Sequence, residues 1–219
     1  MGPLVWDQIG EKLYETGVEK GVLYVQDANG LYPKGVAWNG LTAVTESPSG
    51  AEATPVYADN GKYLSLMSAE EFAATVEAYM YPDEFAECDG SAELVAGVSI
   101  GQQTRKGFGM VYKTLVGNDV ADVAYGYKLH IIYGAKASPS EKNYATVNDS
   151  PEANALSWEL NTTPVPVTGH KPTATIVIDS TKVDATKLAA LEKILFGDTA
   201  SEARLPLPDE IKTLMTPAG

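Results

Sequence analysis

Short runs of β-branched and aromatic residues, cut off by glycine, proline and asparagine turns, recur along the whole chain. Only one stretch carries a clear helical apolar stripe. That pattern leaves little choice but a mainly β fold. Gly21-Val-Leu-Tyr-Val25 closes on Asp27-Ala-Asn-Gly30. Gly35 to Glu46 places Asn39-Gly40 between two apolar runs, which predicts a type I′ hairpin because both turn positions need positive φ. Further strands are expected at Lys62–Met67, Gly107–Val116, Tyr125–Gly134, Leu156–Thr162 and Thr173–Ile178.

Ser68 to Tyr81 fits two templates. Ser68 and Glu71 match a capping box, yet Phe72, Ala74, Val76, Ala78 and Met80 alternate with their neighbours as in a strand. Thr75-Val76 and Tyr79-Met80-Tyr81 favour strand from Thr75 onward, with Pro82 as its end.

Two stretches lack any period: Ser47–Gly61 and Ala137–Ala155. Both are polar and read as long loops, which compact domains rarely keep without a use. The helix spans Asp184–Phe196. Asp184 caps it, Leu188, Leu191, Ile194 and Leu195 form the stripe, and Gly197 stands just past its end. A short amphipathic piece follows at Pro208–Met215, within a C-terminal tail segment over 198–219. Consecutive strands joined by turns imply antiparallel pairing. The expected fold is therefore α+β in the loose sense and mainly β: two packed antiparallel sheets, a sandwich or partly open barrel, flanked by one α-helix. Residues 1–219 read as a single domain.

The 219 residues carry 16 Lys+Arg against 29 Asp+Glu, a formal charge of −13. A nucleic-acid groove binder needs a basic stripe, and none is present. No stretch approaches the roughly 18 to 20 apolar residues of a membrane helix. Met1–Gly10 has no basic region followed by an apolar one, and Trp6 breaks the myristoylation pattern, so the expectation is a soluble product kept in the cell or released by lysis.

Candidate chemistry is sparse. Cys88, the lone cysteine, lies in Glu87-Cys88-Asp89-Gly90, where carboxylates would raise a thiol pKa and blunt it. His130 falls inside an expected strand and reads as a structural or interface residue. Asp83, Glu84, Glu87 and Asp89 could offer oxygen ligands but lack the order of a calcium loop, so they read as a solvated acidic turn. Arg105, Lys106 and Lys142 read as surface residues or partners for nearby carboxylates. No nucleophile elbow or nucleotide fingerprint occurs. The expectation is no enzyme, no cofactor and no metal. The chain has 12 Tyr and 4 Phe, and tyrosine suits surfaces that are half buried and half wet. An interaction or structural protein fits better than a catalyst.

Several longer segments are familiar. Gly35-Val-Ala-Trp-Asn-Gly40, Glu46-Ser-Pro-Ser-Gly-Ala-Glu52 running into Tyr57-Ala-Asp-Asn60, and Glu77-Ala-Tyr-Met-Tyr-Pro-Asp-Glu-Phe85 with Cys88-Asp-Gly90 are among them. So are Gly117-Asn-Asp119 leading to Gly126-Tyr-Lys-Leu-His130, Ser138-Pro-Ser-Glu-Lys142 to Thr146-Val-Asn-Asp-Ser-Pro151, and Ser157-Trp-Glu159 with Thr162-Thr-Pro-Val165. Over roughly residues 5 to 212, the chain resembles the major tail proteins of long-tailed, non-contractile bacteriophages.

The resemblance implies a virion structural protein that forms stacked, usually hexameric rings, the tail tube through which phage DNA passes. It implies Ser47–Gly61 as an assembly loop, with Ser47, Pro48, Glu52, Pro55, Val56, Tyr57, Asp59 and Asn60 as contact candidates. A second interface loop would use Ser138, Glu141, Lys142, Tyr144, Asn148 and Asp149. Implied partners are further copies of the chain and the tape-measure, tail terminator and distal tail proteins. DNA would pass without sequence-specific binding, and no membrane is involved. The location would be the virion tail, and the host cytoplasm during assembly. An acidic lumen would keep DNA off the wall, although acidity also keeps an abundant subunit soluble. The alternative is a distal tail, adaptor or receptor-binding β-module that stops at one ring.

Overall fold

The computed structural model describes residues 2–146, 149 and 153–216. The strands in chain order are β1 (Tyr14–Val25), β2 (Gly35–Trp38), β3 (Leu41–Glu46), β4 (Ser49–Gly50), β5 (Ala53–Ala58), β6 (Gly61–Met67), β7 (Glu70–Glu71) and β8 (Ala73–Ala78). A 3-10 turn at Asp83–Phe85 leads into the short α1 (Ala86–Asp89). Then come β9 (Ala92–Val95), β10 (Val98–Ile100), β11 (Phe108–Asn118), β12 (Asp122–Ala137), β13 (Leu156–Thr162) and β14 (Thr175–Asp179). Helices α2 (Ala185–Phe196) and α3 (Pro208–Met215) follow.

Hydrogen bonding makes one eight-stranded antiparallel sheet rather than two separate ones, in the order β2-β1-β11-β12-β13-β8-β3, with β14 also on β12. No closed barrel forms among the described residues. The sheet doubles back at Gly134. Up to Ile132, β12 pairs with β14, and from Ala135 to Ala137 it pairs with β13. Gly134 has φ 59°, and a Cβ there would lie 2.2 Å from the Thr163 carbonyl oxygen. Only glycine fits this position.

The middle layer is buried on both faces. Leu23, Met110, Tyr112 and Ile132 point into a core shared with Val76, Phe85, Trp158 and Leu160. Val22, Tyr24, Val111, Leu129, Ile131 and Tyr133 point the other way, against Leu188, Leu191 and Leu195 of α2 and Ile211 of α3. This double burial explains why β11 and β12 read as nearly continuous apolar runs. The helix behaves as its sequence predicts: the Asp184 carboxylate accepts from the Lys187 N–H at 3.0 Å, and Gly197 ends the helix with φ 75°. The Tyr24 hydroxyl donates to the Leu195 carbonyl at 2.5 Å, and burial pushes its pKa far up. Besides α2, α3 forms over the predicted Pro208–Met215, so the body carries two helices on one face.

Two expectations change, and the Ser68–Tyr81 ambiguity resolves to strand. Asn39-Gly40 does turn, with Gly40 at φ 77°, but the strands it joins do not pair. β2 pairs with β1 and β3 pairs with β8, so the turn links the two ends of the sheet path. Trp38 decides this: its buried ring packs against Phe85 and Trp158, and its Nε1 donates to the Met80 carbonyl at 2.9 Å. The capping box at Ser68 starts no helix. Ser68 Oγ instead accepts from the Glu52 N–H at 3.2 Å, and β8 runs Ala73–Ala78 with Ala74, Val76 and Ala78 buried. Ser47–Gly61 is not an unstructured loop but contains β4 and β5. The β9–β10 hairpin and the first half of β1 were not signalled by the sequence pattern.

Candidate functional site

The predicted assembly loop is one strand of a long two-stranded ribbon. β3 pairs with β8 from Leu41↔Ala78 to Glu46↔Ala74. The pairing resumes at Ser49↔Glu71 and Gly50↔Glu70, then runs from Ala53↔Met67 to Ala58↔Gly61. Asp59 and Asn60 form the tip with φ 49° and 62°, a pair of left-handed residues suited to a tight hairpin. The inner part of the ribbon belongs to the sheet. The outer part, β4 to β7, leaves it. At about 3.3 Å per residue, residues 47 to 59 reach at most about 40 Å.

Every residue of β6 is exposed, and β5 is exposed except at Val56. Tyr57 and Tyr63 near the tip are 69% and 72% exposed, and Leu66 and Met67 are also open. Val56 opposes Leu64 and Thr54 opposes Leu66, so one ribbon face carries an apolar stripe. Of the named loop residues, Ser47 sits at the root, its N–H donating to the Ala73 carbonyl at 2.8 Å. Pro48 follows it. Glu52, Pro55, Val56, Tyr57, Asp59 and Asn60 lie along the free part. Lys62–Met67 forms the expected strand, but as the second strand of this arm, with its apolar side chains open rather than packed. The Asp59-Asn60-Gly61 turn between two strand-forming runs was the signal available.

The root is tied down by a polar cluster from four strands. Glu46, the last residue of β3, accepts from the Tyr112 hydroxyl at 2.5 Å and lies 3.3 Å from His130 Nδ1. His130 Nε2 lies 2.9 Å from Thr114 Oγ1 and 3.4 Å from Glu15. The His130 ring stacks on Tyr112 with centroids 4.7 Å apart. At Glu46 the imidazole of His130 beside it outweighs burial, with the bond from Tyr112 adding to it, so its carboxyl lies below the usual range. At Glu15 burial acts upward, but bonds from Lys128 and Thr114 outweigh it, and its carboxyl is lowered too. His130 is thus an internal fastener, matching its structural reading.

Two lowered carboxyls fix the sign of a pH effect. Their contribution is present above the ordinary glutamate range and fades as pH falls below it toward the folded values. Urea midpoints measured from pH 6 to pH 3 should therefore fall with acidity, and Glu46→Gln should flatten that slope. Equal slopes for the two proteins would show that Glu46 adds nothing to acid sensitivity.

The second loop is held elsewhere. Ser138 donates its N–H to the Glu159 carbonyl, and its hydroxyl accepts from Asn161. Lys142 pairs with Asp89 at 2.7 Å and lies over the Tyr81 ring. Arg105 lies 3.7 Å from the same carboxylate and donates to the Ala137 carbonyl. Asp89 is 8% exposed, so this member of the acidic turn is a buried ion-pair partner rather than a solvated one. Glu141, Tyr144 and Asp149 are exposed, and Asn148 lies outside the described residues. No hydrogen bond or strand pairing joins this loop to the ribbon among the described residues.

Cys88 is fully buried, and burial first, then Glu87, pushes its thiol up to about 12. It has no thiolate character at neutral pH. Asp83, Glu84 and Glu87 are exposed, and no cluster of three or more ligating side chains occurs among the described residues.

No family model matches the chain, and no curated protein is similar to it in sequence. Among solved structures, a chain of an extracellular contractile injection system, the PVC sheath–tube complex in its extended state, is similar over 73% of this chain and 88% of its own. The identity is 12% and the TM-score 0.32, a superposition too loose to establish a shared fold.

Proposed function

We propose that this chain is a non-enzymatic structural subunit of a phage tail, the tube-forming protein of a long, non-contractile tail. One observation carries the reading. The β3–β8 ribbon leaves the body as an exposed two-stranded arm bearing Tyr57, Tyr63, Leu66 and Met67. An arm with open apolar side chains and unpaired strand edges has too little contact with its own body to gain stability there. Ordering it costs about 1–2 kcal/mol per residue in backbone entropy, which contacts with another copy would offset. The sequence resemblance points the same way. In this reading, Ser47–Glu71 reaches a neighbouring subunit, rings close by a repeated head-to-tail contact, and the Lys142 loop is a second contact. The acidic chain lets DNA slide past, and the tape-measure, terminator and distal tail proteins bind the tube.

Joining Pro48 to Phe72 through a short Gly/Ser linker removes the arm and leaves β3 paired with β8. The shortened chain should remain folded and soluble, with melting unchanged, and should form no tubes in negative-stain images where the full chain does. Normal tubes from the shortened chain would sink the arm reading. Discrete single rings from the full chain would favour an adaptor instead.

A further inference from the structure

The arm needs a receiving surface, and the geometry points to a pocket at the opposite end of the same ribbon. This rests on the reading of β4–β7 as an assembly arm. Along β3, Glu46 stands at the arm root and Leu41 at the far end, beside the Asn39-Gly40 turn. There a pocket of about 660 Å³ opens between Val18, Val22, Trp38, Leu41 and Phe196. Tyr79 and Met80 extend its apolar surface: both are exposed, and the Tyr79 N–H donates to the Gly40 carbonyl at 2.9 Å.

A head-to-tail assembly requires two different, complementary surfaces on one subunit, a donor and a receptor, so that each copy receives what it offers. The ribbon meets this condition. Its tip presents Tyr57 and Tyr63, and its far end presents a cavity with room for aromatic side chains. Charge agrees as well. The arm carries Glu52, Asp59, Glu70 and Glu71 against Lys62 alone. At the pocket mouth, Glu19 is already paired with Lys113, while Lys20 lies over the Phe196 ring and is free to meet an acidic partner. The occupant is therefore the arm tip of a second copy of this chain.

Ala37 lines the pocket from an exposed position on the edge strand β2, so Ala37→Trp fills it without entering the core. Ala37→Trp and the arm-shortened chain should each lose tube formation. Mixed, they hold one intact arm and one intact pocket, and light scattering should detect a complex that neither forms alone. In the full-length chain, Ala37→Cys combined with Tyr57→Cys or Tyr63→Cys should give a ladder of cross-linked chains on oxidation, since Cys88 is buried and out of reach. Tubes from Ala37→Trp equal to those of the native chain would overturn the pocket assignment and leave the arm reading intact. So would native-like tubes from both cysteine pairs with no ladder, should Ala37→Trp fail to fold. If the native chain forms no assembly at all, the arm reading fails and the pocket assignment falls with it.

Discussion

Phe85→Ala is expected to destabilise the protein by about 3–5 kcal/mol, the range for emptying a large aromatic site in a core. Phe85 is fully buried on the 3-10 turn between β8 and α1. Its ring centroid lies 4.6 Å from Trp38, 5.2 Å from Trp158, 5.5 Å from Phe108 and 5.8 Å from Tyr81. Most of these contacts are edge-on, the geometry in which aromatic pairs add to simple area burial. The four neighbours belong to β2, β11, β13 and the segment after β8, so no single element can collapse into the gap. Urea unfolding followed by tryptophan fluorescence would measure the loss, because two of the neighbours are tryptophans. A cost below about 1 kcal/mol would mean that the Asp83–Asp89 segment lies outside the cooperative core.

Leu191→Ala comes next, at about 2–5 kcal/mol. Leu191 is fully buried at the centre of α2, where Leu188 and Leu195 complete the stripe. The stripe faces Val111, Leu129 and Ile131 of the middle layer, within the chain's own second core. Thr186, Ala190 and Lys193 face solvent. Loss of stability should therefore appear in the unassembled monomer, and a variant with native monomer stability but defective assembly would make α2 an interface helix instead. The contrast with the arm is informative. Core truncations act on folding, whereas removal of β4–β7 should act on assembly alone, because those strands share little buried surface with the body.

What could be read from the sequence is what short-range physics decides. The α2 helix was legible from its cap, its stripe and its glycine because all three act within one turn of the helix. β13 begins and ends where its apolar run does, and the inert setting of Cys88 follows from its acidic neighbours and its burial. The mainly β, antiparallel class followed from the same local signals. Partner choice did not. Asn39-Gly40 specifies a turn, but whether its flanking strands pair with each other depends on where Trp38 is buried, and Phe85 and Trp158 lie far along the chain. The arm was hidden for a related reason. Lys62–Met67 reads as a strand, but local pattern does not show that neither β5 nor β6 meets a core, and β5 has no apolar face to mark it. Glu15, Glu46 and His130 converge only because three distant strands are brought into register. The sequence alone determined the class of the fold, the α2 helix and the strands that border a core, since capping, periodicity and turn chemistry are local. The tertiary structure decided which elements pair, which face is shared and which ribbon is left free, because burial is a property of the assembled layers.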